Sequence, residues 1–342
     1  MGSVKDLQIL KKPTETEPGV GRFIFSDRYS VFDWGEMPDH IPDKGKAIAI
    51  LGAYFFEKLE KAEIKTHYRG LVDKNNTVTK LSELKETSNI MEIKLLRVIE
   101  PEYNNGKYDY SRYKKEKGNF LIPLEIIYRN YLPQGSSVFK RLKEGKITPQ
   151  DLGLSEYPEP GQKLAETILD VSTKLEATDR YITWDEAKEI AGLSKKELRS
   201  IKELTRAISS LITTEFEKIG FINEDGKIEV GFNEKRELIV VDVLGTLDEC
   251  RFTYRGLPMS KEIARIYYRK TPWYEAVNEA KLKYGPEWKK HCAVTPEPLP
   301  EELKDAIADI YRYCTNTITG KEWFTLKKDI DRTLATIEKY CK

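Results

Sequence analysis

The sequence predicts an α+β protein, and three observations carry that expectation. Phe120 to Tyr128 is dense in Leu and Ile, as a buried strand is. Gly226 to Phe232 and Glu237 to Val243 are two more apolar runs, and they read as a hairpin around Asn233-Glu234-Lys235-Arg236. Elsewhere apolar residues recur at helical spacing, most clearly Ile201, Leu204, Ile208, Leu211, Ile212 and Phe216. The 342 residues suffice for two or three packed units around a substantial core.

Taken in order, Arg22 to Phe25 reads as a short strand that runs into a polar loop, Ser26 to Asp33. Pro38, Pro42 and Gly45 mark a second loop. A helix follows, because Ile48, Leu51, Phe55 and Leu59 share a face. Residues 70 to 118 are polar. Alternating stretches such as Ile90 to Ile99 read as strands there, with a charged insertion around Asn104 to Lys117. Residues 143 to 162, rich in Pro and Gly, read as a surface loop. Thr183 and Glu186 have capping-box spacing for a helix at Trp184 to Ala191, and the next helix runs from about Lys195 to Ile219. Thr271 suits a cap, with Pro272 in the first helical position. Residues 300 to 342 read as helices that cover the C-terminal end.

Composition narrows the classes of function. Hydrophobic residues at 39% and charged residues at 33% suit a soluble folded protein, not a disordered one. The net charge of +1 provides no overall field to recruit nucleic acid or an anionic membrane, so any phosphate site must be local. No apolar run approaches the roughly 20 residues that span a bilayer, and the Met1 to Asp6 start lacks the apolar core of a secretory signal. Cys250, Cys292, Cys314 and Cys341 form no C-x-x-C pair, and with three histidines no zinc signature arises. Scattered thiols fit a cytoplasmic protein.

Three clusters carry chemistry. Ser26-Asp27-Arg28-Tyr29-Ser30-Val31-Phe32-Asp33 packs two carboxylates and a guanidinium into one loop, which suits a polar-ligand site or, equally, a solvated turn. Glu125, Arg129 and Asn130, then Gly135-Ser136-Ser137 and Arg141, could cradle a phosphate; the plainer reading is an arginine that leaves a strand for solvent. In the hairpin, Lys227 and Glu229 share a strand face. A turn of two or four residues puts Lys227 opposite Asp242, with Glu229 diagonal to it. Two carboxylates there suit Mg²⁺ shared with nucleotide phosphates; the alternative is an exposed cross-strand salt bridge.

Together these segments resemble the SAICAR synthetase family. Its S-D-R-x-S-x-F-D signature is Ser26 to Asp33, its I-P-x-K-G segment is Ile41 to Gly45, and its T-H pair is Thr66-His67. The P-L-E-x-x-x-R-N segment is Pro123 to Asn130, followed by Gly135-Ser136. The S-T-K segment is Ser172 to Lys174, and K-x-E-x-G is Lys227 to Gly231 with Asp242 as its partner. The resemblance implies a kinase-like N-terminal lobe over residues 1–123, an ATP-grasp-like lobe over 124–298 and a C-terminal helical extension over 299–342. It implies an ATP-dependent ligase that joins L-aspartate to carboxyaminoimidazole ribonucleotide (CAIR) in purine biosynthesis, through an acyl phosphate, with Mg²⁺ as cofactor.

Residue by residue, the resemblance assigns Lys5, Glu125, Lys174 and Lys227 to the nucleotide, and Glu229 and Asp242 to the metal. It assigns Ser30, Arg129, Ser136, Asp248, Arg251 and Arg265 to substrate, and places Asp27 and Asp33 with Lys227 in the catalytic cleft. Two departures stand out. The opening G-K-x-K-D reads Gly2-Ser3-Val4-Lys5-Asp6, with little chain before it to form a leading strand. D-E-x-S-P-D-x-x-R reads Asp242 to Arg251 with one residue more, and Val243 replaces a carboxylate. A kinase-like phosphotransferase on a small phosphorylated metabolite is the alternative activity. No nucleic acid or membrane partner is expected, and a homo-oligomer stays open.

Overall fold

The computed structural model describes residues 4–342. Its N-terminal third builds one antiparallel sheet from β1 (Lys5–Lys11), β2 (Gly19–Phe25), β3 (Tyr68–Val72), β4 (Val78–Thr79) and β5 (Ile90–Leu95). The order is β1-β2-β5-β3-β4. Helix α1 (Lys44–Lys61) packs on β2, β3 and β5. All four of its predicted face residues, Ile48, Leu51, Phe55 and Leu59, are buried. β1 is a leading strand that the sequence reading did not foresee; it is a mostly exposed edge, so it lacks a strong apolar pattern. Gly2 and Ser3 of the opening motif lie outside the described residues.

The charged insertion folds as a ribbon, β6 (Glu102–Asn104) with β7 (Lys107–Asp109). The second sheet follows. It contains β8 (Phe120–Leu121), β9 (Leu124–Leu132), β10 (Gln162–Thr173), β11 (Ile222–Phe232), β12 (Leu238–Val241), β13 (Cys250–Tyr254) and β14 (Leu257–Pro258). Its main path is β10-β9-β11-β13-β14, with β8 and β12 paired to β11. Helices α2 (Ser137–Lys143), α3 (Trp184–Ile190) and α4 (Lys195–Glu217) are inserted between these strands. Helices α5 (Glu262–Tyr268), α6 (Pro272–Tyr284), α7 (Glu301–Thr319) and α8 (Ile330–Cys341) complete the chain.

β11 organises the molecule because it changes partners midway. Asp225 to Ile228 pair with β9, and Glu229 to Phe232 pair with β12. The free edge of β12 then meets the first sheet. The Val240 N–H donates to the Lys65 carbonyl (2.9 Å), and the His67 N–H donates to the Val240 carbonyl (3.0 Å).

Several local expectations need correction. The strand expected over Phe120 to Tyr128 breaks at Ile122-Pro123 and resumes through Leu132, so Arg129 lies inside a strand and not at its end. Proline has no N–H to give a ladder. The Thr183 hydroxyl accepts from the Glu186 amide, but the Glu186 carboxylate turns to Arg180 (2.7 Å), so the box is half made. The complete capping box is Ser194 with Glu197, which starts α4. The Thr271 hydroxyl donates to the Tyr268 carbonyl (2.7 Å) and caps nothing, although Pro272 does open α6.

The hairpin register also differs by one residue. Phe232 pairs with Leu238 and Glu229 with Val241, which leaves five residues in the loop. Arg236 sits there in the left-handed region (φ 57°), the signature of a three-residue turn closed by a bulge. An odd loop shifts the pairing by one, so a straight strand would carry Asp242 to the wrong face. Asp242 itself has φ 62°, and that left-handed residue, placed after the last β12 position, turns its carboxylate back towards Lys227.

α4 covers the second sheet with Ile201, Ile208, Ile212 and Phe216 fully buried. Phe216 stacks on Phe252 with ring centroids 3.8 Å apart and lies parallel to Phe55 of α1 at 6.0 Å. It therefore joins the two layers. Phe216→Ala is expected to cost about 3–5 kcal/mol. Urea unfolding checks this, and a midpoint equal to that of the parent would show that the layers do not depend on it.

Candidate active site

A cavity of about 560 Å³ lies between the first sheet and the β11–β12 hairpin. Its walls are apolar and come from both sides, with Leu7, Phe23, Ile93 and Leu95 facing Leu121 and Val241. Its far end is ionic. Lys5, Glu125, Lys174, Lys227, Glu229 and Asp242 all line it, so the six residues assigned to nucleotide and metal converge in one place. A second cavity of about 370 Å³, bounded by Glu60, Lys65 and Glu234, holds none of these six.

Lys227 is the hub. Its Nζ lies 2.9 Å from Glu229, 3.1 Å from Glu249, 3.2 Å from Glu125 and 3.8 Å from Asp242. Desolvation opposes its charge, but these carboxylates, Glu229 foremost, outweigh it and hold the ammonium well above the ordinary lysine value. Lys174 reaches Glu229 at 2.5 Å, and Lys5 pairs with Asp242. Burial pushes the Glu229 carboxyl up, and the neighbouring Asp242 charge adds to it. Burial opposes ionisation of Asp242 too, yet Lys5, Lys227 and Lys174 hold it well below the carboxylate range. Two buried carboxylates that repel each other form an all-oxygen donor pair that fits a hard divalent cation. Among the described residues no group of three or more His, Cys, Asp or Glu is arranged to hold a metal by itself. Any such ion would share its shell with a ligand.

His67 of the T-H pair braces this end. Its Nε2–H donates to the Asp242 carbonyl (3.0 Å), and its ring lies between Phe23 and Phe56. Burial pushes its pKa down to about 4.

Four of the residues that the resemblance assigns to substrate, Arg129, Ser136, Arg251 and Arg265, form a second cluster by the β9–β11–β13 face. Arg129 is 1% exposed and inside an ion ladder, 3.2 Å from Asp225 and 3.3 Å from Asp170. Its guanidinium also donates to the Ser136 and Ser137 hydroxyls. Ser136 is the N-cap of α2. Arg251 grips Asp225 with two bonds, at 2.8 and 2.5 Å. Arg265 pairs with Glu262, which also holds Arg269 (2.8 Å). Gly135 lies beside Arg251 and Arg269.

The other assigned residues have different surroundings. Both Asp27 oxygens accept backbone amides, from Gly45 (2.9 Å) and Asp43 (3.2 Å), so this residue anchors the start of α1 and does not face the cavity. Asp33 is a positive-φ residue with its side chain 86% exposed, paired to Lys281. Ser30 is half-buried and outside the cavity wall. The carboxylate of Asp248 is saturated by Lys44 (2.7 Å) and the Tyr311 hydroxyl (2.5 Å).

Sequence reasoning missed Glu249 and Arg269. Glu249 stands in the altered 242–251 segment, and only its hydrogen bonding and position reveal it. Its carbonyl accepts the Lys227 N–H (3.2 Å) while its carboxylate meets the Lys227 side chain. Val243, where the family pattern has a carboxylate, is buried against α1 near Gly52. Gly245 permits the turn, with φ 67° and the Phe55 ring 2.4 Å from where a Cβ would be.

An apolar slot between the first sheet and the β11–β12 hairpin, lined at one end by lysines and paired carboxylates and flanked by an arginine–serine cluster, has the chemistry of an enzyme site for anionic ligands. The chain belongs to the SAICAR synthetase family: the family model described as SAICAR synthetase matches residues 10–280. A provisionally named phosphoribosylaminoimidazole-succinocarboxamide synthase of Archaeoglobus fulgidus is 52% identical, over 96% of each chain. The phosphoribosylaminoimidazole-succinocarboxamide synthase of Thermoplasma acidophilum is 34% identical, over 88% of this chain and 93% of the relative. In fold, a SAICAR synthase from Saccharomyces cerevisiae complexed with SAICAR superposes with a TM-score of 0.64, at 23% identity and 95% coverage of each chain. A SAICAR synthetase in complex with ADP gives 0.55, covering 87% of this chain and 99% of its own. The α+β fold and the family expected from the motifs are borne out. Among the described residues no helix is long and apolar enough to cross a membrane.

The His67 shift has a definite sign. The folded state holds this ring neutral down to about pH 4, whereas an unfolded histidine takes up its proton near pH 6.5. The unfolded state therefore binds more protons between those values, and stability falls as pH falls through that window. In His67→Gln the decline between pH 6.5 and pH 4 is expected to be shallower, measured by urea midpoints at each pH. Parallel profiles would remove His67 as its source.

Proposed function

We propose that this chain catalyses the ATP-dependent joining of L-aspartate to CAIR, giving SAICAR, ADP and phosphate. The single observation that carries this at residue level is the Lys227 cluster at the closed end of an apolar slot. The slot accepts the adenine, and Lys5, Lys174 and Lys227 neutralise the phosphates. Glu229 and Asp242 would hold Mg²⁺, which when bound polarises the terminal phosphate and screens its charge.

The CAIR carboxylate attacks the γ-phosphorus of ATP, and the bond to ADP breaks. The aspartate amine then attacks the acyl carbon, and phosphate leaves as the amide forms. Neither step needs a protein nucleophile, so the chain's contribution is positioning and charge. Arg129, Arg251, Arg265 and Ser136 lie where they suit the ribonucleotide phosphate, and the arginines would exchange their present carboxylate partners for it. Lys261 stands between the two clusters. Desolvation, reinforced by Arg265, holds its ammonium below the ordinary lysine range, while Asp248 and Glu249 favour its charge.

The test is phosphate release by purified protein with Mg-ATP and CAIR, with and without L-aspartate. Release that requires both substrates, with a product heavier by the aspartyl group, supports the ligase; release indifferent to aspartate would indicate a phosphotransferase. Glu229→Ala is expected to lower kcat by about a hundredfold or more at a temperature where the variant is still folded, since the metal acts on charge that develops in the transition state. It is expected to lower the thermal midpoint as well, because Lys174 and Lys227 lose a buried partner. A near-normal rate would end the metal assignment.

A further inference from the structure

Residues 101 to 118 contain the charged insertion around Asn104 to Lys117, and nothing in the chemistry above uses them. The chain leaves the cavity wall at Val98 and Glu100 and rejoins it at Leu121. Between these points the β6–β7 ribbon and a short 3₁₀ turn, Ser111–Lys114, fold onto the loop that carries Lys174.

Two tyrosines make the attachment, and a third closes the base of the insertion. The Tyr113 hydroxyl donates to the Ile99 carbonyl (2.6 Å) and closes the base of the insertion beside the cavity. The Tyr110 hydroxyl donates to Glu176 (2.9 Å). The Tyr108 hydroxyl accepts the Ala177 N–H (2.8 Å). Glu176 and Ala177 follow Lys174 by two and three residues. Their loop springs from β10, which is the edge strand of its sheet, and Ala177, Thr178 and Asp179 are exposed. A loop of this kind is locally weak unless something ties it down. Its own backbone ties lie at its feet: the Lys174 N–H donates to the Pro123 carbonyl (3.1 Å), the Thr173 N–H to the Arg180 carbonyl (3.0 Å), and the Arg180 N–H to the Thr173 hydroxyl (3.0 Å). Arg180 also grips Glu176 (3.2 Å). The bonds from Tyr108 and Tyr110 hold its middle, at Ala177 and Glu176.

We propose that residues 101–118 act as a strap in which Tyr108 and Tyr110 are positioning residues for Lys174, so that the insertion sets nucleotide affinity. This rests on the reading of Lys174 as a nucleotide contact. Ordering a loop in its bound form removes a cost otherwise met at binding. The strap joins the wall of the slot to the lysine at its ionic end, and so ties both ends of the nucleotide site to one segment.

The experiment compares Tyr108→Phe, Tyr110→Phe, the double variant and Lys174→Met for KM of Mg-ATP, KM of CAIR, KM of aspartate and thermal midpoint. Each lost hydrogen bond is expected to raise the ATP KM about threefold, and the pair about tenfold. The other two KM values should stay within about twofold, because a merely structural role moves all three together. An unchanged ATP KM in the double variant, beside a raised one in Lys174→Met, would overturn the strap alone. An unchanged ATP KM in Lys174→Met would overturn the reading of Lys174, and the proposal with it. If the double variant lowers the thermal midpoint, the single variants still decide, by whether the ATP KM moves apart from the other two.

Discussion

Three lysines and four carboxylates share one end of the slot, and neither set could remain there ionised without the other. Taking such charges out of water is expensive, and only close pairing offsets it. The pairing depends on β11. Its first half belongs to the β9 ladder and its second half to β12, so Lys227 and Glu229 stand where the two ladders meet. Glu125 arrives from β9, Asp242 from the end of β12, and Lys5 from the first strand of the other sheet. A shift of β11 by one residue would point Lys227 and Glu229 to the opposite face and strand the remaining charges.

Much of this was legible in the residues. Helical spacing located α1 and α4, and the motif order supplied the family and six residues that do converge. The rest was hidden for identifiable reasons. The hairpin register turned on a left-handed Arg236, a conformation that no glycine advertised. Asp27 looked like a ligand because a carboxylate that caps backbone amides has the same composition as one that binds substrate. Arg129 sits amid a strand because β9 runs on to Leu132 after its apolar stretch ends at Tyr128. Glu249 was invisible because it falls at an unspecified position of the D-x-x-R stretch, and only the fold shows that it meets Lys227.

Asp248 and Glu249 are adjacent in sequence yet serve different neighbours. Asp248 turns inward to Lys44 and Tyr311, and Glu249 turns towards Lys227. Lys261 lies near both. This short segment therefore links the Lys227 cluster to the arginine cluster: Val243 packs against α1, and Glu249, seven residues after Asp242, brings its carboxylate to Lys227.

The helix α7 reaches back to the start of α1, where Arg312 binds Asp43 (2.8 Å) and the Thr315 hydroxyl meets the Ala47 carbonyl (3.4 Å). Tyr311, on the same helix, completes the shell of Asp248. On a ribosome the lysines and carboxylates of the cleft are all made before this helix is. A nascent chain that has reached residue 300 thus holds the reactive groups but leaves the buried Asp248–Lys44 pair short of its third partner. In the order of synthesis, the hydroxyl that completes the Asp248–Lys44 pair is therefore made only after every charged group of the cleft.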